Sequence, residues 1–205
     1  MRRTFVAMIA GLLALALLGA PAGAAGTDNS PLQSFEDGSA IGKGAHTSLK
    51  RSSDSIDVAV HSRNLVPGNA YTVWLAIFND PAGCVDGCDG GDVFPGSPAA
   101  VSVIWSGVGG VANGGGNLNA RASLSEGNPE GYQQLFTSLG AGALDPGFVD
   151  AEGAEIHMIV RDHGPSTGSA DQVSTFEGEC TAPSSEELGN GSYVCVDIQF
   201  SLHFP

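Results

Sequence analysis

Residues 71–78 read Tyr-Thr-Val-Trp-Leu-Ala-Ile-Phe, directly behind the turn sequence Val66-Pro67-Gly68-Asn69. An eight-residue run that is apolar on both faces predicts a central strand covered on both sides. In the turn, Pro presets φ at the second position and Gly supplies positive φ at the third. Just upstream, Ile56, Val58 and Val60 alternate with Asp57, Ala59 and His61, the period of a half-buried strand. The two runs are therefore expected to pair as a hairpin.

The rest of the chain repeats this grammar. Ala99 to Trp105 predicts a strand, and so does Leu118 to Leu124, with Asn113-Gly114-Gly115-Gly116 as the hairpin turn between them. Ala154, Ile156, Met158 and Val160 alternate with Glu155, His157 and Arg161 until Gly164-Pro165. Val194, Val196, Ile198, Phe200 and Leu202 alternate with Cys195, Asp197, Gln199, Ser201 and His203, a strand with one apolar and one polar face. Only Tyr132, Leu135, Phe136 and Leu139 follow helical spacing, ended by Gly140. Thirty Gly and 11 Pro cut the remainder into short pieces. The expected fold is all-β: an antiparallel Greek-key β-sandwich of about 7–9 short strands with one short helix near 130–139. Residues 51–205 form its single domain. Residues 26–50 are a polar lead-in, with one edge strand around Gln33 to Glu36.

The N-terminus has the layout of a cleavable signal peptide over residues 1–25. Arg2 and Arg3 precede an apolar run from Phe5 to Leu18, and Ala20-Pro21-Ala22 and Ala22-Gly23-Ala24 fit the cleavage pattern. The run is shorter than the ~20 residues a membrane-spanning helix needs. The expected location is secreted or periplasmic in a bacterium, with no membrane span after cleavage. Cleavage takes away two cations and no acid, so the net charge goes from -14 to -16, six Lys and Arg against 22 Asp and Glu. Such a chain repels nucleic acid and anionic membrane surfaces.

Four Cys in an exported chain imply disulfides. Of three pairings, Cys84–Cys88 and Cys180–Cys195 are favoured, since each pair is close in sequence and flanks a Gly- or Ser-rich loop. A zinc site is the alternative, although C-x3-C and C-x14-C do not make a standard knuckle.

Candidate chemistry falls in two places. The loop from Asp80 to Asp92 carries Asp86, Asp89 and Asp92 at three-residue spacing, oxygen donors of the kind Ca²⁺ takes, without the EF-hand pattern. The strands carry polar faces on which Glu155, His157 and Arg161 fall together, as do Asp197, Gln199 and His203, and Asp57 with His61. His163 follows at the bend. If those strands are neighbours, one sheet face holds a band of imidazole, carboxylate, amide and guanidinium groups able to ligate a transition metal or to do acid–base work. No nucleophile elbow, S-x-x-K, H-E-x-x-H or phosphate loop occurs, so no catalytic residue is assigned.

As a set, Leu65-Val66-Pro67-Gly68-Asn69-Ala70-Tyr71-Thr72-Val73-Trp74, Phe78 to Cys84, Ala154 to Pro165, Phe176 to Cys180 and Cys195 to His203 resemble a family of secreted bacterial β-rich proteins, over most of residues 55–205. The resemblance implies an exported β-rich domain with paired Cys and carries over no activity. The L-x-P-G-x-x-Y-x-x-W segment also resembles Greek-key modules such as the CHRD domain, whose H-x-H motif is absent here: the matching strand has His157 alone. The expected function is a secreted β-sandwich module with a binding or structural role toward an extracellular ligand or protein. The alternatives are a metal-binding protein or metal-dependent enzyme using the histidine band, and a Ca²⁺-stabilised adhesion module using the acidic loop.

Overall fold

The computed structural model describes residues 26–92, 98–99, 101–127, 148–168 and 196–205, for 101–107 the backbone alone. Nine strands are described: β1 Thr27–Pro31, β2 Gln33–Ser34, β3 His46–Arg51, β4 Ser55–Ser62, β5 Asn69–Phe78, β6 Val101–Val111, β7 Leu118–Ser125, β8 Glu155–Pro165 and β9 Val196–His203. They form two antiparallel sheets, ordered β1-β3-β4-β7 and β2-β9-β8-β5-β6, packed as a β-sandwich. After the β5–β6 hairpin the chain returns to set β7 beside β4, a Greek-key return spread over two sheets. The expected signal peptide, the expected helix near 130–139 and the expected Cys180–Cys195 bridge fall outside the described residues.

The apolar pattern explains the two layers. Every residue of β5 is buried, as its unbroken apolar run requires of a strand with neighbours on both edges and layers on both faces. Tyr71, Val73, Leu75 and Ile77 point between the sheets, where they meet Ile156, Met158 and Val160 of β8 and Leu49, Ile56, Val58 and Val60 of the other sheet. Burying each large side chain of this kind stabilises the fold by about 1.5–3 kcal/mol. On the opposite face of β5, Ala76 and Phe78 join Ala99 in a smaller cluster, against which Cys84 and Cys88 pack. Those two cysteines are disulfide-bonded, as their spacing suggested.

Neither expected hairpin pairs its strands. Both turns form where the sequence puts them, but each carries the chain from one sheet to the other. Gly68 has φ 85° and Gly116 φ 68°. The two turns are tied to each other: Leu65 N–H donates to Gly116 O at 3.0 Å, and Gly68 N–H to Ala112 O at 2.9 Å. The phenol of Tyr71 reaches back to accept from Val66 N–H at 3.0 Å, the backward bond of a tyrosine corner. Burial decides the matter. β4 is apolar on one face only, whereas β5 needs cover on both, so β5 takes the two-sided place between β6 and β8.

The lead-in holds more structure than its polarity suggested. Besides β2 it contributes β1 and most of β3, which build half of the four-stranded sheet. Strand β9 departs from expectation as well. Its buried side chains are the polar ones, Gln199, Ser201 and His203, while Phe200 and Leu202 are only partly buried.

Candidate functional site

The polar band expected on one sheet face is split among three: the two faces of the five-stranded sheet and the outer face of the four-stranded sheet, where Asp57 and His61 lie. The β8–β9 register runs Val160 to Gln199 and then Arg161 to Asp197, so Ile198 is an extra residue in β9. A bulge of this kind reverses the side-chain alternation on one side of it. Asp197 therefore stays with Arg161, Glu155 and His157 on the outward face, while Gln199 and His203 turn inward.

The inward group zips the two sheets together. Ser62 Oγ donates to Gln199 Oε1 at 2.7 Å, and Gln199 Nε2 donates to Arg63 O at 2.7 Å. Thr47 Oγ1 lies 2.7 Å from Ser201 Oγ and 2.8 Å from His203 Nε2, while His203 Nδ1 lies 2.5 Å from Asp28 Oδ2. Hydroxyl, imidazole and carboxylate thus stand in the order of a hydrolase triad. Thr47, Ser201 and His203 are wholly buried, so no substrate reaches the hydroxyls, and the relay serves to satisfy polar groups between sheets. Burial pulls the pKa of His203 down against the upward pull of Asp28. Arg51 caps the same edge, with donors on Ala151 O, His203 O and Phe204 O.

The outward group consists of satisfied pairs. Arg161 holds Asp197 through two bonds of 2.6 and 3.0 Å and lies 3.8 Å over the Trp74 ring. His157 Nε2 is 2.7 Å from Glu155 Oε1, and its ring tilts against Phe78 at 4.8 Å. Trp74 Nε1 donates to Thr72 Oγ1 at 3.1 Å, and Thr72 lies 2.7 Å from His163 Nε2. Burial, helped by the Arg161 charge, pulls the His163 pKa down to about 3, so the ring is neutral at ordinary pH. On the core side of β8, Asp162 accepts from Asn69 Nδ2, the Tyr71 phenol and Gly164 N–H. Burial and this carboxylate push the Tyr71 phenol above its ordinary pKa and keep it a donor.

The acidic loop turns its carboxylates onto its own backbone. Asp92 accepts from Asp89 N–H at 3.1 Å, and Asp89 from Gly91 N–H at 2.6 Å. Asp86 sits exposed at φ 63°. Among the described residues no three His, Cys, Asp or Glu side chains stand close enough to hold one ion.

The group that is open to solvent lies on the other side of the sandwich, on the outer face of the four-stranded sheet. Three cross-strand rows can be read from its register. The first is Thr27, Lys50, Asp57 and Ser123; the second is Asn29, Ser48, Ala59 and Arg121; the third is Pro31, His46, His61 and Asn119. Successive rows lie about 7 Å apart and neighbouring strands about 4.8 Å. Ser48 and Ala59 are short and occupy the middle, so longer side chains around them wall a cleft of about 600 Å³. Lys50 and Arg121 flank its floor with Cα atoms about 12 Å apart by those spacings, within joint reach of one bound group. Neither cation is in an ion pair among the described residues. Asp57 lies in the same cleft, its carboxylate accepting from Ser123 Oγ at 2.5 Å. At the far end the rings of His46 and His61 stack with centroids 4.7 Å apart.

Asp57 and His61 share one face as their alternation predicts, whereas Lys50, Ser48 and Arg121 were not among the expected site residues. The signal was present as alternation: Thr47 and Leu49 go in between His46, Ser48 and Lys50, and Asn119, Arg121 and Ser123 share the outward phase of β7. What was not visible is that β3 and β7 flank β4. No protein-family model, no curated protein and no solved structure matches the chain.

Proposed function

We propose that the chain is an extracytoplasmic binding module, and that its ligand is a small polar molecule carrying a negative charge, held in the cleft on the outer face of the four-stranded sheet. The observation that supports this reading is the pairing of Lys50 and Arg121 across a floor of Ser48 and Ala59. The chain has only eight Lys and Arg against 22 Asp and Glu. Two cations that make no ion pair among the described residues share that concave face with one carboxylate, Asp57, so the cleft reverses the overall balance locally, and a net positive cleft concentrates anions. A guanidinium offers a planar fork that fits a carboxylate or phosphate, and an ammonium adds a point charge. Asp57, Ser48 and Ser123 add acceptors and donors that suit the hydroxyl groups of a sugar acid. The apolar leader and the Cys84–Cys88 bridge support export, as does the resemblance to secreted β-rich proteins.

Calorimetric titration with galacturonate oligomers, citrate and phosphate, with neutral oligosaccharides alongside, tests the reading. At least one anionic probe should bind with one site per chain. Lys50→Ala with Arg121→Ala should weaken it at least tenfold, while leaving the free energy of unfolding within the few tenths of a kcal/mol expected of exposed sites. Binding that survives the double substitution, or no binding of any anionic probe, would remove the proposal.

A further inference from the structure

His46 and His61 stand as a stacked pair whose reading does not depend on the anion proposal. The two are direct cross-strand partners on β3 and β4. Their rings stack with centroids 4.7 Å apart and planes inclined by 25°. Each uses Nδ1 on an oxygen: His46 Nδ1 is 3.3 Å from Gly44 O, and His61 Nδ1 is 2.7 Å from Asn119 Oδ1. A carbonyl oxygen only accepts, so each Nδ1 carries the proton. In a neutral imidazole that leaves the Nε2 lone pair as the free base. Neither Nε2 has a hydrogen-bond partner among the described residues, and both rings are partly open to solvent. This is the arrangement of a histidine metal ligand, in which an outer acceptor fixes the tautomer and raises the basicity of the ligating nitrogen.

We propose that His46 and His61 together bind one late divalent transition-metal ion through their two Nε2 atoms. Two imidazole nitrogens suit Cu²⁺ and Zn²⁺ at about 2.0–2.1 Å, with Cu²⁺ the tighter by the usual order. Stacked rings inclined by 25° hold their lone pairs side by side, so each ring must swing by some tens of degrees for both Nε2 atoms to face one ion, a movement open to side chains that are partly solvent-exposed. No third His, Cys, Asp or Glu closes the set among the described residues, so water fills the remaining positions and the ion exchanges freely. Hard cations such as Ca²⁺ and Mg²⁺, which take oxygen donors, do not bind here.

The test uses the full chain, stripped with chelator and titrated with Cu²⁺, Zn²⁺ and Ca²⁺ at pH 7.5. Calorimetry should give one Cu²⁺ site, weaker Zn²⁺ binding at the same site, and no Ca²⁺ uptake from it. His46→Gln with His61→Gln should abolish the site, and Asn119→Ala should weaken it about tenfold by releasing the outer acceptor. Because both rings lie at the surface, the variants should keep the wild-type circular dichroism. A second readout covers the case in which they do not: substoichiometric Cu²⁺ should broaden the ring-proton resonances of His46 and His61 in the wild-type chain, ahead of those of His157, His163 and His203. Copper binding that is unchanged in the double variant, broadening that begins at another histidine, or no uptake at 1 mM Cu²⁺, which would mean binding weaker than roughly 4 kcal/mol, would overturn the proposal.

Discussion

Lowering the pH from 8 to 5 should destabilise the fold by about 2 kcal/mol through His163 alone. The ring is wholly buried beside Thr72. The indole of Trp74 donates to Thr72 Oγ1, and we assign the Thr72 hydroxyl proton to the bond with His163 Nε2, which leaves that nitrogen as an acceptor. Its pKa in the folded chain is about 3. In the unfolded chain it is about 6.5. Between those values the unfolded state binds the additional proton, so stability falls as pH drops through 6.5 toward 3. Above 6.5 both states are neutral and the residue adds no slope. Linkage between the two pKa values gives about 2 kcal/mol at pH 5, a large share of the 5–15 kcal/mol that holds an ordinary domain together. His203, whose pKa burial also lowers, acts in the same direction. Guanidinium denaturation at pH 8, 7, 6 and 5 measures the effect. The comparison is with His163→Asn, which keeps polar groups near Thr72 and does not titrate. Its loss between pH 8 and 5 should be smaller than the wild-type loss by about 2 kcal/mol. Parallel curves for the two chains would mean that burial of His163 does not couple stability to pH.

Two substitutions probe the other buried polar clusters. Thr47→Val removes the hydroxyl shared by Ser201 and His203 and leaves two buried polar groups short of a partner; urea unfolding should show a loss of about 2–4 kcal/mol, and a loss below about 0.5 kcal/mol would mean the relay does not hold the sheets. Asp162→Asn leaves one oxygen where the carboxylate served Asn69, Tyr71 and Gly164. At least one donor then faces an amide N–H, and the same assay should register about 1–3 kcal/mol of destabilisation.

The layers of this fold are legible in the sequence where one strand face is apolar. Ile56, Val58 and Val60 go inward as their alternation says, and the run from Tyr71 to Phe78 is buried on both faces. The turns at Gly68 and Gly116 are equally legible, but a turn sequence does not say whether the chain folds back within a sheet or arches between two. That choice rests on cover for β5, a property of the whole sandwich. The polar face of β9 was misplaced because alternation assumes that apolar means inward. Gln199, Ser201 and His203 break the assumption because each finds a partner across the sheets. The Ile198 bulge, which separates Asp197 from them, has no signal in local sequence. The cleft depends on strand order in the same way: Lys50 and Arg121 are 71 positions apart and meet only because β4 lies between their strands.

The central claim is that the outer face of the four-stranded sheet is the binding surface. Backbone amide shifts of ¹⁵N-labelled protein, followed while an anionic probe that binds in calorimetry is added, test it most directly. The largest movements should fall on Ser48, Lys50, Asp57, Ala59, Arg121 and Ser123, with Glu155, His157, Arg161 and Asp197 unmoved. Movements concentrated on Glu155 to Arg161 and Asp197, with the rows of the four-stranded sheet silent, would contradict it.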